Sequence, residues 1–136
     1  MAQEVVLAAS ASRNTSLTAT GVQLPGWWDR LIVVLDITVA VAAAGDKLDV
    51  YLDFSLDGNK WFNGCRFVQQ VGNVAVKTEY AMFDPANPGA ATIAATADCG
   101  AGVTRPSAFG RFARARWVVT DAGTAGFTFS VKAYTQ

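Results

Sequence analysis

Along Lys47–Phe62, KLDVYLDFSLDGNKWF, apolar and polar positions alternate without a break and then run into a turn. Leu48, Val50, Leu52 and Phe54 fall on one face and Asp49, Tyr51, Asp53 and Ser55 on the other, which predicts a strand with one dry and one wet face. Ser55-Leu56-Asp57-Gly58-Asn59 carries residues that bond local backbone or tolerate positive φ, so Trp61–Val71 is expected to pair back as a hairpin. Two short strands, Glu4–Ser10 and Ser12–Thr20, precede the loop Gly21–Trp28. Arg30–Val41 is almost continuously aliphatic or β-branched, the pattern of a central strand packed on both faces or lying under a covering neighbour.

Gly72-Asn73 is a turn signal into Val74–Phe83, where Val74, Val76, Thr78, Tyr80 and Met82 share a face; this predicts a second hairpin. Two prolines and a glycine in DPANPGA, Asp84–Ala90, break the ladder, and periodicity stays lost as far as Phe109 apart from a short strand near Thr92–Ala95. The chain closes with Arg111–Thr120 and Phe127–Tyr134, the latter again strictly alternating; joined by Asp121–Gly126, they are expected to form a closing hairpin. Short strands at regular spacing with no 3.6-residue stripe indicate an all-β fold, an antiparallel β-sandwich of jelly-roll-like or Ig-like type with a long loop around 84–109. Residues 1–136 are read as one domain, with residues 1–12 as an N-terminal arm for a neighbour's sheet edge or an edge strand of the same sheet.

Composition narrows the function classes. Eleven basic and eleven acidic side chains cancel, so the basic excess of a nucleic-acid binder is missing. No apolar run reaches the ~20 residues of a membrane-spanning helix, since Asp36 interrupts Leu31–Ala44. MAQEVVLAAS does not read as a secretory signal, so the product is expected in the cytoplasm that makes it. A chain 51% hydrophobic and 16% charged predicts apolar surface covered by neighbours, hence a homo-oligomer or larger assembly. Cys65 and Cys99 are expected as free buried thiols rather than a disulfide.

Candidate chemistry is sparse. Without histidine, Ser-His-Asp and Cys-His devices have no base, and two cysteines cannot complete a zinc site, so neither catalysis nor a metal or other cofactor is expected. Asp49 and Asp53 stand at i and i+4 of one strand, roughly 13 Å apart by rise, against the about 5 to 9.5 Å of a glycosidase pair; they read as solvated acids. Asp57-Gly58-Asn59 reads as a turn rather than a calcium loop. Trp27, Trp28, Trp61 and Phe62 could form a sugar-stacking platform. The competing expectation puts Trp61 and Trp117 in the core with one of Trp27 and Trp28 capping it, and the other buried against a partner. Arg111, Arg114 and Arg116 cluster near one strand as a solvated edge or a protein–protein salt-bridge site. Trp27, Trp28, Arg111, Arg114 and Arg116 are therefore the candidate partner-binding residues.

The order RLIVVLDITVA, then LDVYLDFSLDGNKWF, then RARWVVTDAGTAGFTFSVKAY, from about Arg30 to Tyr134, resembles small tailed-bacteriophage proteins encoded among virion morphogenesis genes. The resemblance implies a virion structural protein, foremost a head decoration or cement protein on the capsid surface that binds the major capsid protein and itself, as a trimer. A neck or tail component is the alternative within that class, and a carbohydrate-binding β-sandwich the alternative outside it. The family supplies no catalytic residues.

Overall fold

The computed structural model describes residues 3–26, 28–40, 43–86, 97–106, 108–120 and 126–136. Among them lie eleven strands: β1 (Gln3–Arg13), β2 (Leu17–Thr18), β3 (Val22–Gln23), β4 (Leu31–Val39), β5 (Lys47–Ser55), β6 (Trp61–Arg66), β7 (Gln70–Val71), β8 (Thr78–Phe83), β9 (Val103–Thr104), β10 (Phe112–Thr120) and β11 (Phe127–Thr135). They form a four-stranded sheet, β1-β11-β4-β8, and a seven-stranded sheet, β2-β10-β5-β6-β9, with β3 also on β10 and β7 on β5; every pairing is antiparallel. With β2 and β3 counted as one strand and β7 and β9 set aside, the orders become first-eighth-third-sixth and second-seventh-fourth-fifth. That is the jelly-roll arrangement, one of the two sandwich types the sequence predicts.

The sheets close on each other through alternate side chains. β11 contributes Phe127, Phe129, Val131 and Ala133, β4 Leu31, Val33, Leu35 and Ile37, and β5 Leu48, Val50, Leu52 and Phe54, all buried. Small residues oppose large ones: Ala113 and Ala115 of β10 make room for neighbouring rings, and Trp117 meets Phe129 edge-on with centroids 5.4 Å apart. Phe54 likewise meets Phe83 edge-on at 4.9 Å. Each such buried side chain stabilises the fold by about 1.5–3 kcal/mol relative to exposure.

In a jelly roll the chain changes sheet at almost every connection, and this corrects several expectations. β5 and β6 do form the predicted hairpin. Val74–Phe83 does not form one with the segment before it: Gly72-Asn73 turns the chain, with Asn73 at φ 58°, and β8 crosses to pair with β4 in the other sheet. Arg111–Thr120 and Phe127–Tyr134 are likewise not partners, since β10 pairs with β5 and β11 lies between β1 and β4. Alternation tells a strand which face is buried; it carries no record of its neighbour. The first N-terminal strand runs on to Arg13 as β1, an edge strand of the four-stranded sheet with register shifts at Val6/Ala8 and Ala8/Ala11; of the strand expected at Ser12–Thr20, Leu17–Thr18 forms β2, which pairs with β10 in the other sheet. Between 84 and 109, β9 adds to β6; the strand expected at Thr92–Ala95 lies outside the described residues.

The two-faced strand also changes place. β4 buries only one face, and its other face carries Ile32, Val34 and Asp36 toward solvent. β5 is buried along Leu48–Ser55, both faces, because its polar face is roofed by side chains of β6 and β10. Asp49 and Asp53 are therefore not on a wet face: they are 6% and 3% exposed.

Candidate functional site

The hairpin turn positions the polar face of the seven-stranded sheet. Asp57 Oδ1 accepts the N–H groups of Asn59 (2.8 Å) and Lys60 (2.9 Å) and the Ser55 hydroxyl, while the Gly58 N–H, at φ 82°, donates to Ser55 Oγ (2.8 Å). These bonds hold the Asp57 carboxyl below the usual carboxylate range. They also deliver Trp61 opposite Ser55.

Register then brings opposite charges together. Arg114 stands across from Asp53 and Arg116 across from Tyr51 on β10 and β5. Asp53 accepts from Arg114 Nε (3.1 Å), from Arg116 Nε (3.0 Å) and from the Asn63 amide (3.1 Å). Burial pushes its carboxyl up, but the bonds from Arg116, Asn63 and Arg114 outweigh that and hold it below the ordinary value. Arg116 reaches on to Asp98 (2.6 Å); burial disfavours its charge, and the bonds to Asp53 and Asp98 more than reverse this. At the other end, Arg66 pairs with Asp49 (2.9 Å), which also accepts from Gln69 (2.8 Å).

Aromatic rings fill the spaces between the charges. The guanidinium of Arg116 lies 4.2 Å from the Tyr51 ring centre and that of Arg66 5.3 Å, so Tyr51 is held between two cations. Arg114 lies over Trp61 at 4.3 Å. Asn63 locks the layer at the register shift of β6: its amide donates to the Leu52 and Cys65 carbonyls, and its Oδ1 accepts the Cys99 N–H (2.9 Å). Arg105 bonds the carbonyls of Asn63 (2.7 Å) and Ala97 (2.6 Å), tying residues 97–105 across the sheet. A polar cleft of about 180 Å³ remains between Asp53, Trp61, Asn63, Asp98, Arg114 and Arg116.

Three aspartates, Asp49, Asp53 and Asp98, thus meet three arginines, Arg66, Arg114 and Arg116, and the layer is formally neutral. Each of these carboxylates is engaged by a guanidinium, an arrangement that rigidifies a surface. Among the described residues no group of three His, Cys, Asp or Glu side chains is placed to hold a metal ion.

The predicted partner-binding residues separate. Arg114 and Arg116 join this layer; Arg111 is exposed ahead of β10, where its carbonyl accepts the Leu24 N–H (2.7 Å). Trp28 is buried, stacks near Phe54 and Phe109 and donates to the Gly110 carbonyl (3.2 Å), so it is the core-capping member of its pair and not a surface contact. Trp27 lies outside the described residues. Trp117 is in the core as expected, its indole N–H on the Thr15 carbonyl (3.1 Å). Trp61 is not: it sits half-buried on the outer face between Arg114 and Gly21. Sequence reasoning passed over Arg66, Asn63 and Asp98. Arg66 was findable from the β5–β6 hairpin, which sets it opposite Tyr51; Asp98 lies where no periodicity marks a partner.

The opposite surface carries the Glu4–Lys132 pair (3.7 Å) and Asp36, which accepts the Thr78 hydroxyl (2.8 Å), among apolar side chains. The outer face of the four-stranded sheet exposes Val6, Ile32, Tyr80 and Met82, and at its end a groove of about 390 Å³ runs between Arg30, Ile32, Met82, Asp84, Tyr134 and Gln136. The cysteines are free and buried, and burial pushes both thiols up. Comparison with known proteins found no family model, no curated protein and no solved structure that matches this chain.

Proposed function

We propose that this chain is a structural protein of a bacteriophage virion, a non-enzymatic head decoration protein that binds the major capsid protein and copies of itself. The observation that carries the reading is the contrast between the two outer faces. One is a neutral layer in which the described charges satisfy each other, and the other exposes apolar side chains with Tyr80 68% and Met82 54% accessible. A surface of that kind favours adhesion to a protein neighbour over chemistry on a small substrate.

The fold by itself does not choose, since jelly rolls serve as both capsid and lectin domains. The tryptophans weigh against the lectin alternative: Trp28 and Trp117 are buried, and Arg114 covers a face of Trp61. The resemblance of Arg30–Tyr134 to phage morphogenesis proteins supplies the virion assignment. Quantitative mass spectrometry of purified particles tests it. A decoration protein is expected at hundreds of copies per head, and on the order of a dozen would indicate a neck ring. Absence from the particles would sink the reading.

A further inference from the structure

The four-stranded sheet has two edges, and they are treated differently. β1 is broken by two register shifts, and the Arg13 guanidinium takes up the carbonyls of Ala9 and Ala11. Both are devices that discourage another strand from pairing. In the other sheet, β2, β3 and β9 are two residues each. β8 is regular over six residues and contains no proline.

Its hydrogen-bonding phase can be read directly. The Ile37 N–H donates to the Lys77 carbonyl (3.1 Å), so in this antiparallel pair Lys77, Glu79, Ala81 and Phe83 direct their main-chain groups to β4. Thr78, Tyr80 and Met82 direct theirs out of the sheet, where no partner occurs among the described residues. The same three residues are exposed on the outer face. Asp84 closes the open stretch, its N–H bonded to the Pro106 carbonyl (2.8 Å).

We infer that β8 pairs antiparallel with β8 of a second copy across a two-fold axis centred on Tyr80, joining two four-stranded sheets into one. The sequence of β8 selects both the occupant and the register. With Tyr80 opposite Tyr80 of the second copy, Thr78 faces Met82, and each of these pairs exchanges both main-chain bonds. Glu79 then faces Ala81, and Lys77 faces Phe83, so no like charges oppose. Each Glu79 already carries Lys77 at 3.3 Å. Sliding two residues one way sets Glu79 against Glu79; sliding the other way calls on Asp84, whose N–H is taken. The centred register also makes an aromatic cross-strand pair and continues the apolar stripe of Ile32 and Met82 across the junction. Pairing of identical strands is isologous and closes at two, in place of the trimer expected from the sequence.

The inference is read on the purified chain and does not require the virion assignment. Light scattering across a dilution series should give a dimer. Tyr80→Lys sets two ammonium groups opposite each other and removes the ring pair, raising the dissociation constant about tenfold or more while circular dichroism keeps its β signature. Tyr80→Cys should cross-link on mild oxidation, because hydrogen-bonded antiparallel partners lie within disulfide reach, ~5.5 Å between Cα atoms. Wild type and Val118→Cys, exposed on the other sheet, should not. A monomer at every concentration, a trimer, or a dimer that Tyr80→Lys leaves intact and Tyr80→Cys fails to cross-link would overturn it. A dimer absent from virions would leave this inference standing and sink the function, and the converse result would do the reverse.

Discussion

Asp53 is the residue on which the polar layer turns. It is nearly inaccessible and accepts from two guanidiniums and an amide. Removing one partner of such a cluster costs more than the cluster is worth, because the remaining charges stay desolvated. Arg114 and Arg116 keep about a quarter of their side-chain surface in solvent, which reduces that cost. Asp53→Asn is expected to destabilise by about 2–3 kcal/mol and to lower Tm by roughly 10 °C in a thermal scan. The pH dependence follows from the sign of the shift. A carboxyl held below its ordinary 3.8 in the fold contributes stability in full above that value and loses it as pH falls toward the folded value. Acid titration of wild type should therefore show stability retained to about pH 4 and falling below it, with a shallower fall in Asp53→Asn.

Both the acids and the arginines of this layer were visible as residues in the chain, but their relation was not. Asp49 and Asp53 are on the polar side of an alternating strand, which normally means solvent. What roofs them is Arg66 from the hairpin partner and Arg114 and Arg116 from β10, a strand about sixty residues further on. No local pattern encodes a neighbour at that separation.

At the scale of elements, the glycines that matter are those where backbones meet. A Cβ on Gly110 would stand 2.8 Å from Phe54 Cβ, 2.9 Å from the Ser55 carbonyl oxygen and 3.0 Å from that of Phe112. Two of these are backbone atoms of β5 and β10 and cannot rotate away. Gly110→Ala should cost about 1–3 kcal/mol by overpacking, measurable as a lower denaturant midpoint at unchanged m-value. The same close approach lets the Trp28 indole reach the Gly110 carbonyl, so the loop before β4 is fastened to the entry of β10. The hairpin β5–β6 was legible because its turn chemistry and both strands are contiguous. β8 and β10–β11 were legible as strands and not as pairs. A turn of similar composition can double a strand back beside its predecessor or lift it to the other sheet, and the core contacts that decide lie far away in sequence.

For the whole molecule, the two thiols report on global opening. Cys65 and Cys99 are buried and unpaired, and burial raises both thiols away from the reactive thiolate form. A thiol reagent is expected to label neither in the native protein and both in denaturant, so labelling kinetics should track unfolding; rapid native labelling of Cys65 would contradict this core placement. The chain by itself determined the long strands, the apolar faces of β5 and β11, the all-β class and the β5–β6 hairpin, because alternation and turn chemistry act over neighbouring residues. The jelly-roll order, the burial of Asp49 and Asp53 under arginines, the inward turn of Trp28 and the outward main-chain groups of β8, unpaired among the described residues, were decided only by tertiary structure. Each depends on which distant strand comes to lie alongside, and that is settled by packing two sheets into one core.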